Sequence, residues 1–164
     1  MRTTQVLGAF LGALALSAIL TGPAAAQAVH SGTWHSVESK SSWSNGNFPK
    51  GFSLTIVLSF SKDKLTYHSV NDTLKDKGKL FTTDWEAPLD DSVAPVNGNE
   101  RFNQVRVRPL GPDQFEVLEQ KDGDVVVGQF WTFSSDGKSL VRHGVGKSPE
   151  GKSNAFEEVF ERVN

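Results

Sequence analysis

The sequence predicts an all-β fold: an antiparallel up-and-down β-barrel of eight to ten strands, with a two-sheet β-sandwich as the alternative. Three observations carry this. Turn signals recur at short intervals, at Asn45-Gly46, Asn71-Asp72, Lys77-Gly78, Asn97-Gly98, Gly111-Pro112, Asp122-Gly123, Asp136-Gly137 and Pro149-Glu150-Gly151. Between them, apolar residues alternate with polar ones, most clearly in Phe52-Ser53-Leu54-Thr55-Ile56-Val57-Leu58-Ser59-Phe60, which is the pattern of a half-buried strand. After residue 28 the chain holds 16 Val but only 3 Ala, a balance that favours strands over helices.

The elements follow in order. Residues 1–28 are read as a cleaved signal peptide. They have a short basic start at Arg2, an uncharged apolar run from Val6 to Leu20, and small-x-small cleavage sites at Ala24-Ala25-Ala26 and Ala26-Gln27-Ala28. That run is too short to span a membrane. Residues 29–164 are then one domain. Strands are expected at residues 32–38, 52–60, 64–70, 79–85, 101–108, 114–120, 124–133 and 139–145. Residues 114–120 and 124–133 form a hairpin across Asp122-Gly123, and a second hairpin turns at Asp136-Gly137. The stretch 86–99, with Pro88, Pro95 and Asp90-Asp91, reads as a long loop. Residues 155–163 fit helical spacing through Phe156, Val159, Phe160 and Val163. They also fit a strand with Phe156, Glu158, Phe160 and Arg162 on one face. The strand is preferred because the sheet needs its edge closed. With only one long connection, chain order favours the barrel over the sandwich.

Composition excludes several chemistries. Without Cys there is no disulfide framework, thiolate metal site or cysteine nucleophile, and no lipid anchor after the leader. A formal net charge of −2 with no basic tract argues against nucleic acid. A protein partner is left unspecified. Nor is a stable membrane insertion expected.

The motifs are mostly ordinary. Gly146-Lys147-Ser148-Pro149-Glu150-Gly151-Lys152-Ser153 matches the phosphate-loop pattern letter for letter. Only 11 residues follow it, too few for the parallel sheet that motif needs, and Pro149 removes an N–H donor. It reads as a polar hairpin loop. The four His, at 30, 35, 68 and 143, are scattered, so no metal site is expected. His30 should be mobile near the new N-terminus, His35 and His68 should face outward, and His143 should share an inward face with Val141 and Val145. Glu157-Glu158 would point to opposite faces, and Asp90-Asp91 lacks spaced calcium ligands. No G-x-S-x-G elbow is present. No catalytic residues and no cofactor are assigned, and an enzyme is not expected.

The aromatic pattern is more informative. Gly32-Thr33-Trp34 opens the domain and Arg162 lies near its end. In a closed barrel the first and last strands are neighbours, so the guanidinium can stack on the indole and donate to nearby carbonyls.

Gly32-x-Trp34 with a late Arg resembles the lipocalins. The C-terminal half is similar to a group of small secreted bacterial lipocalin-like proteins, through Lys121-Asp122-Gly123, Ser135-Asp136-Gly137-Lys138-Ser139-Leu140, Gly144, Gly151-Lys152 and Val159-Phe160-Glu161-Arg162. The resemblance implies an eight- to ten-stranded barrel and little about activity.

A barrel of this size can hold one small ligand or be filled by its own side chains. The expected function is therefore a secreted or periplasmic binding protein for an apolar or amphipathic small molecule. Its inward residues would be Leu54, Ile56, Leu58, Tyr67, Val105, Val107, Phe115, Val117, Trp131 and His143, with Gly32, Trp34 and Arg162 closing the barrel. The alternative is a protein-interaction module of the cell envelope, an inhibitor or scaffold acting through loop 86–99, with Trp43, Phe48 and Trp85 in or near loops.

Overall fold

In a computed structural model of the chain, residues 28–163 are described. The leader, 1–27 of the proposed 1–28, lies outside the described residues. Eleven strands form one antiparallel sheet: β1 (Gly32–Ser36), β2 (Ser42–Trp43), β3 (Leu54–Phe60), β4 (Lys64–Asn71), β5 (Phe81–Pro88), β6 (Ala94–Asn97), β7 (Gln104–Gly111), β8 (Gln114–Lys121), β9 (Asp124–Phe133), β10 (Ser139–Lys147) and β11 (Ser153–Val163). Neighbours in space are neighbours in sequence from β3 to β11, and β1 pairs with both β3 and β11. The sheet therefore closes as a ten-strand barrel. The two-residue β2 continues the line of β1 along β11, pairing Trp43 with Phe156. Among the described residues from Val29 on, the only helices are three-residue 3-10 turns at Glu38–Lys40 and Lys75–Lys77.

Local sequence explains the elements. In β3, Leu54, Ile56, Leu58 and Phe60 are buried while Val57 is exposed, as the alternation requires. The β8–β9 hairpin turns on Asp122 and Gly123, both at positive φ (52° and 91°), the geometry of a two-residue type I′ turn. Residues 155–163 are strand throughout.

The stretch 86–99 is not a loop. β5 runs to Pro88, the chain turns, and β6 returns it. Proline is tolerated because β6 is short, pairing only Asp84–Asn97 and Trp85–Val96 on one side and Ala94–Val105 and Pro95–Gln104 on the other. The turn is held by Asp91, whose backbone N–H donates to Val107 O at 3.0 Å and whose side chain pairs with Arg106.

One end of the barrel is packed solid. Phe60, Phe115, Phe133 and Trp34 meet there, together with Leu65, Leu140 and Phe160. His30 is not mobile but plugs this end. It is 1% exposed and stacks on Phe133 with ring centroids 4.1 Å apart. Its Nε2 donates to Pro112 O at 3.1 Å and lies 3.1 Å from Asp113 Oδ1. A short polar stretch with one aromatic residue gave no periodicity by which to foresee this.

The seam between first and last strands is locked by Arg162. Its guanidinium lies 4.5 Å from the Trp34 ring centroid. Nε donates to Gly137 O at 2.6 Å, Nη1 to Ser31 O at 2.7 Å and Nη2 to Val29 O at 2.6 Å. The indole Nε1 in turn donates to His30 O at 3.3 Å. Gly32 makes this possible, since a Cβ there would sit 2.6 Å from Arg162 Nη1.

Arg162→Lys should lower stability by roughly 1–3 kcal/mol, since an ammonium cannot reproduce a planar stack with three divergent donors. Gly32→Ala should have a comparable effect by displacing the guanidinium. Denaturant unfolding reads both, and parental stability in either variant would contradict the closure described.

Candidate functional site

The opposite end of the barrel is open and contains a pocket of about 320 Å³. Trp43, Val127, Pro149 and Phe156 form its apolar wall. Glu119, Gln129, Arg142 and Glu158 are polar members, joined by Ser148 and Asn154 from the β10–β11 turn side, and Arg101 and Lys147 are its further basic residues. Each inward side chain follows from strand alternation. Phe115, Val117 and Glu119 share a face of β8; Trp131, Gln129 and Val127 one of β9; Leu140 and Arg142 one of β10; Phe160, Glu158 and Phe156 one of β11. A β-bulge leaves Val126 unopposed, because Glu119 pairs with Val127 and Gln120 with Val125. Such a bulge bends the strand where the wall turns.

Space arises from the inner face of β10, where Gly144 and Gly146 follow Arg142. A Cβ at Gly144 would lie 2.2 Å from Gly128 O, so only glycine allows β9 to approach this closely. At Gly146 the same atom would make ordinary contacts, 3.6 Å from Val127 Cγ2 and 3.7 Å from Arg101 Nη2.

The electrostatics are unusual for a barrel interior. Arg142 is 7% exposed and Glu158 8%, and the two form a direct, buried ion pair. The guanidinium also lies 4.8 Å from the Phe160 ring centroid. Burial works against its charge, but Glu158, Tyr67 and Glu119 more than offset this and hold its pKa above the ordinary value. Gln129 Nε2 donates to Glu119 Oε1 at 2.9 Å. Burial pushes Glu119 up to about 7, with Glu158 adding to the rise; Arg142, Arg101 and Gln129 pull the other way. Burial likewise raises Tyr67. A titratable group shifted this far beside a pocket is a functional-site candidate on physical grounds.

The residues expected to line a cavity are brought together, but as core. Leu54, Ile56, Leu58, Tyr67, Val105, Val107, Phe115, Val117 and Trp131 are all buried in one continuous cluster, and none belongs to the wall of the 320 Å³ pocket. Tyr67 and Trp85 stack at 4.7 Å, and Trp131 tilts against both. His143 faces outward and stacks on Phe130 at 5.6 Å. The phase of β10 is the reverse of that expected: Val141, His143 and Val145 look more apolar than Arg142, Gly144 and Gly146, yet the second set faces in. His35 is exposed and His68 half-buried, both on the outward face as the alternation implied, with Nδ1 atoms against Thr55 Oγ1 (3.0 Å) and Asp84 Oδ1 (2.5 Å). Among the aromatics assigned to loops, Trp85 is buried in β5, and Trp43 and Phe48 are half-buried and packed edge-on toward Phe52. The phosphate-loop match is the β10–β11 hairpin turn, with Ser148 N donating to Lys152 O at 2.8 Å, and its first half forms one side of the pocket.

Among the described residues, no group of three His, Cys, Asp or Glu is placed to hold a metal, and no helix is long and apolar enough to cross a membrane. A scan of protein-family models finds no match for the chain, and a search of curated proteins finds none either. Fold and site together define a closed ten-strand antiparallel barrel, packed at one end and open at the other onto a charged pocket.

Glu119 makes stability depend on pH. Its folded pKa lies above its unfolded value, so the unfolded chain ionises first. Stability falls as pH rises from about 4.5 to about 7 and is level beyond. Between pH 4 and pH 8, Glu119→Gln should gain roughly 1–3 kcal/mol relative to the parent. Denaturant midpoints across that range check this, and parallel curves would refute it.

Proposed function

We propose that this chain is exported to the periplasm or beyond, loses residues 1–28, and binds a small amphipathic ligand in the open end of its barrel without catalysing a reaction. One observation carries the reading: the same 320 Å³ pocket joins an aromatic and aliphatic wall to a buried ionic floor. Ligand sites are typically such pockets, apolar with a few convergent polar groups. A buried ion pair contributes little net stability, because desolvation offsets attraction. A recognition role therefore accounts for Arg142 and Glu158 better than a stabilising one. Export is supported by the basic start, the apolar run and the small-x-small sites of residues 1–28.

The test uses a neutral fluorophore, N-phenyl-1-naphthylamine. The parent should bind it at one saturable site with a change in Trp43 emission. Gly146→Leu should fill the pocket and remove binding while leaving the unfolding curve near that of the parent, since the position has room for side-chain atoms. Unchanged probe binding in a folded Gly146→Leu would move the site elsewhere.

A further inference from the structure

The polar groups of the pocket are unbalanced in two ways. The Lys147 ammonium is already held by Asp124 at 3.2 Å, so Arg101 and Arg142 face Glu119 and Glu158, balanced when both carboxyls are ionised and one positive charge in excess when Glu119 holds its proton. Hydrogen-bond donors are also in excess. Arg142 Nε, in the pocket wall, is buried and finds no acceptor on the protein; Trp131 Nε1 and Trp85 Nε1, in the core layer rather than the wall, find none either. Arg142 is more than nine-tenths buried, lines the pocket and pairs directly with Trp131 across the β9–β10 ladder. A buried N–H without an acceptor is costly, and a ligand oxygen carrying negative charge relieves both imbalances together. A cationic head would have only Glu119 and Glu158 to meet, both already engaged, by Gln129 and Arg142 respectively.

An anion seated against Arg142 lies among the groups that surround Glu119. These are Gln129 from β9, Arg142 from β10, Glu158 from β11, Arg101 from the segment before β7, and the Tyr67 phenol from β4. From β7 the partner is the apolar Val105. A second negative charge there opposes ionisation of Glu119 and is met instead by its O–H as a further donor.

Resting on the pocket being a ligand site, we infer that its ligand is a singly charged anionic amphiphile, with the anionic head toward Arg142, and that binding draws one proton from solvent onto Glu119. The free protein is poised for this, since burial holds Glu119 at about 7. Below that pH the proton is in place and affinity is level. Above it, each binding event must take the proton up, and affinity falls, because binding and protonation are linked.

The experiment compares octanoate, octanol and octylammonium by titration calorimetry of the mature protein, in two buffers of different ionisation heat. Octanoate should bind tightest. It should take up about half a proton per site at pH 7 and nearly one at pH 8.5, with affinity roughly twentyfold weaker at pH 8.5 than at pH 6.5. Over that range the octanoate carboxylate stays ionised. Glu119→Gln should bind octanoate with the parent's low-pH affinity at every pH and with no proton uptake. Tighter binding of octylammonium or octanol overturns the anion assignment and leaves the pocket as a ligand site. Octanoate binding with identical heats in both buffers overturns the proton uptake. Failure of all three probes, together with N-phenyl-1-naphthylamine, overturns the ligand reading itself. If Glu119→Gln does not fold, the parental two-buffer comparison still decides.

Discussion

The fold depends on one side chain at the seam. A sheet of ten strands closes only if the first strand meets the last, and here that meeting rests on Arg162. Its five N–H groups are fixed in a plane, which lets one residue reach carbonyls in the N-terminal turn and in the β9–β10 turn while stacking on Trp34. Gly32 belongs to the same device, because the space a side chain would need is occupied by the guanidinium. Closure then leaves no exposed strand edge along the seam. It also brings His30 down onto Phe133 as the plug of that end.

With one end clamped and filled, the two ends of the barrel have different tasks. The aromatic cluster around Phe60, Phe115 and Phe133 supplies the packed core, and the Tyr67–Trp85–Trp131 layer adjoins the charged residues. Toward the open end, β9 and β10 carry Gln129, Arg142, Gly144 and Gly146 inward in place of large apolar groups. A cavity in an apolar core is destabilising, so its location beyond the aromatic layer confines that cost to the open end.

Much of the architecture was legible in the chain. Alternation in residues 52–60, the Asp122-Gly123 turn and the pairing of an early Gly-x-Trp with a late Arg all lead to a closed antiparallel barrel, because each reflects local physics or simple topology. The site was less legible, for a definite reason. Assigning strand phase by apolarity assumes that the inner face is the apolar one. That holds for β3, but fails for β10, where the inner face borders a polar pocket and the outer face carries Val141, His143 and Val145. Glu119 was within reach, since extending the Phe115–Val117 alternation by one step turns it inward. Arg142 was hidden between two apolar neighbours. The 86–99 hairpin was missed because Pro88 and Pro95 argue against strand, and only the shortness of β6 makes them compatible with it.

The same reversal bears on what the pocket is for. A strand with Arg and two glycines on its inner face is a poor choice for stability. Glycine gives no packing, and a buried guanidinium must be solvated by the protein itself. Glu158 meets that need directly across the β10–β11 ladder, whereas Glu119, on β8, is not required for it and is itself held at the edge of ionisation by burial. Two carboxylates around one arginine thus differ in kind. Glu158 is fixed as the partner of Arg142, while Glu119 is free to change its charge with its surroundings. A stable core needs only the first of these. The second accepts from the buried Gln129 amide and stands beside the pocket, where a change in charge can be felt by whatever enters.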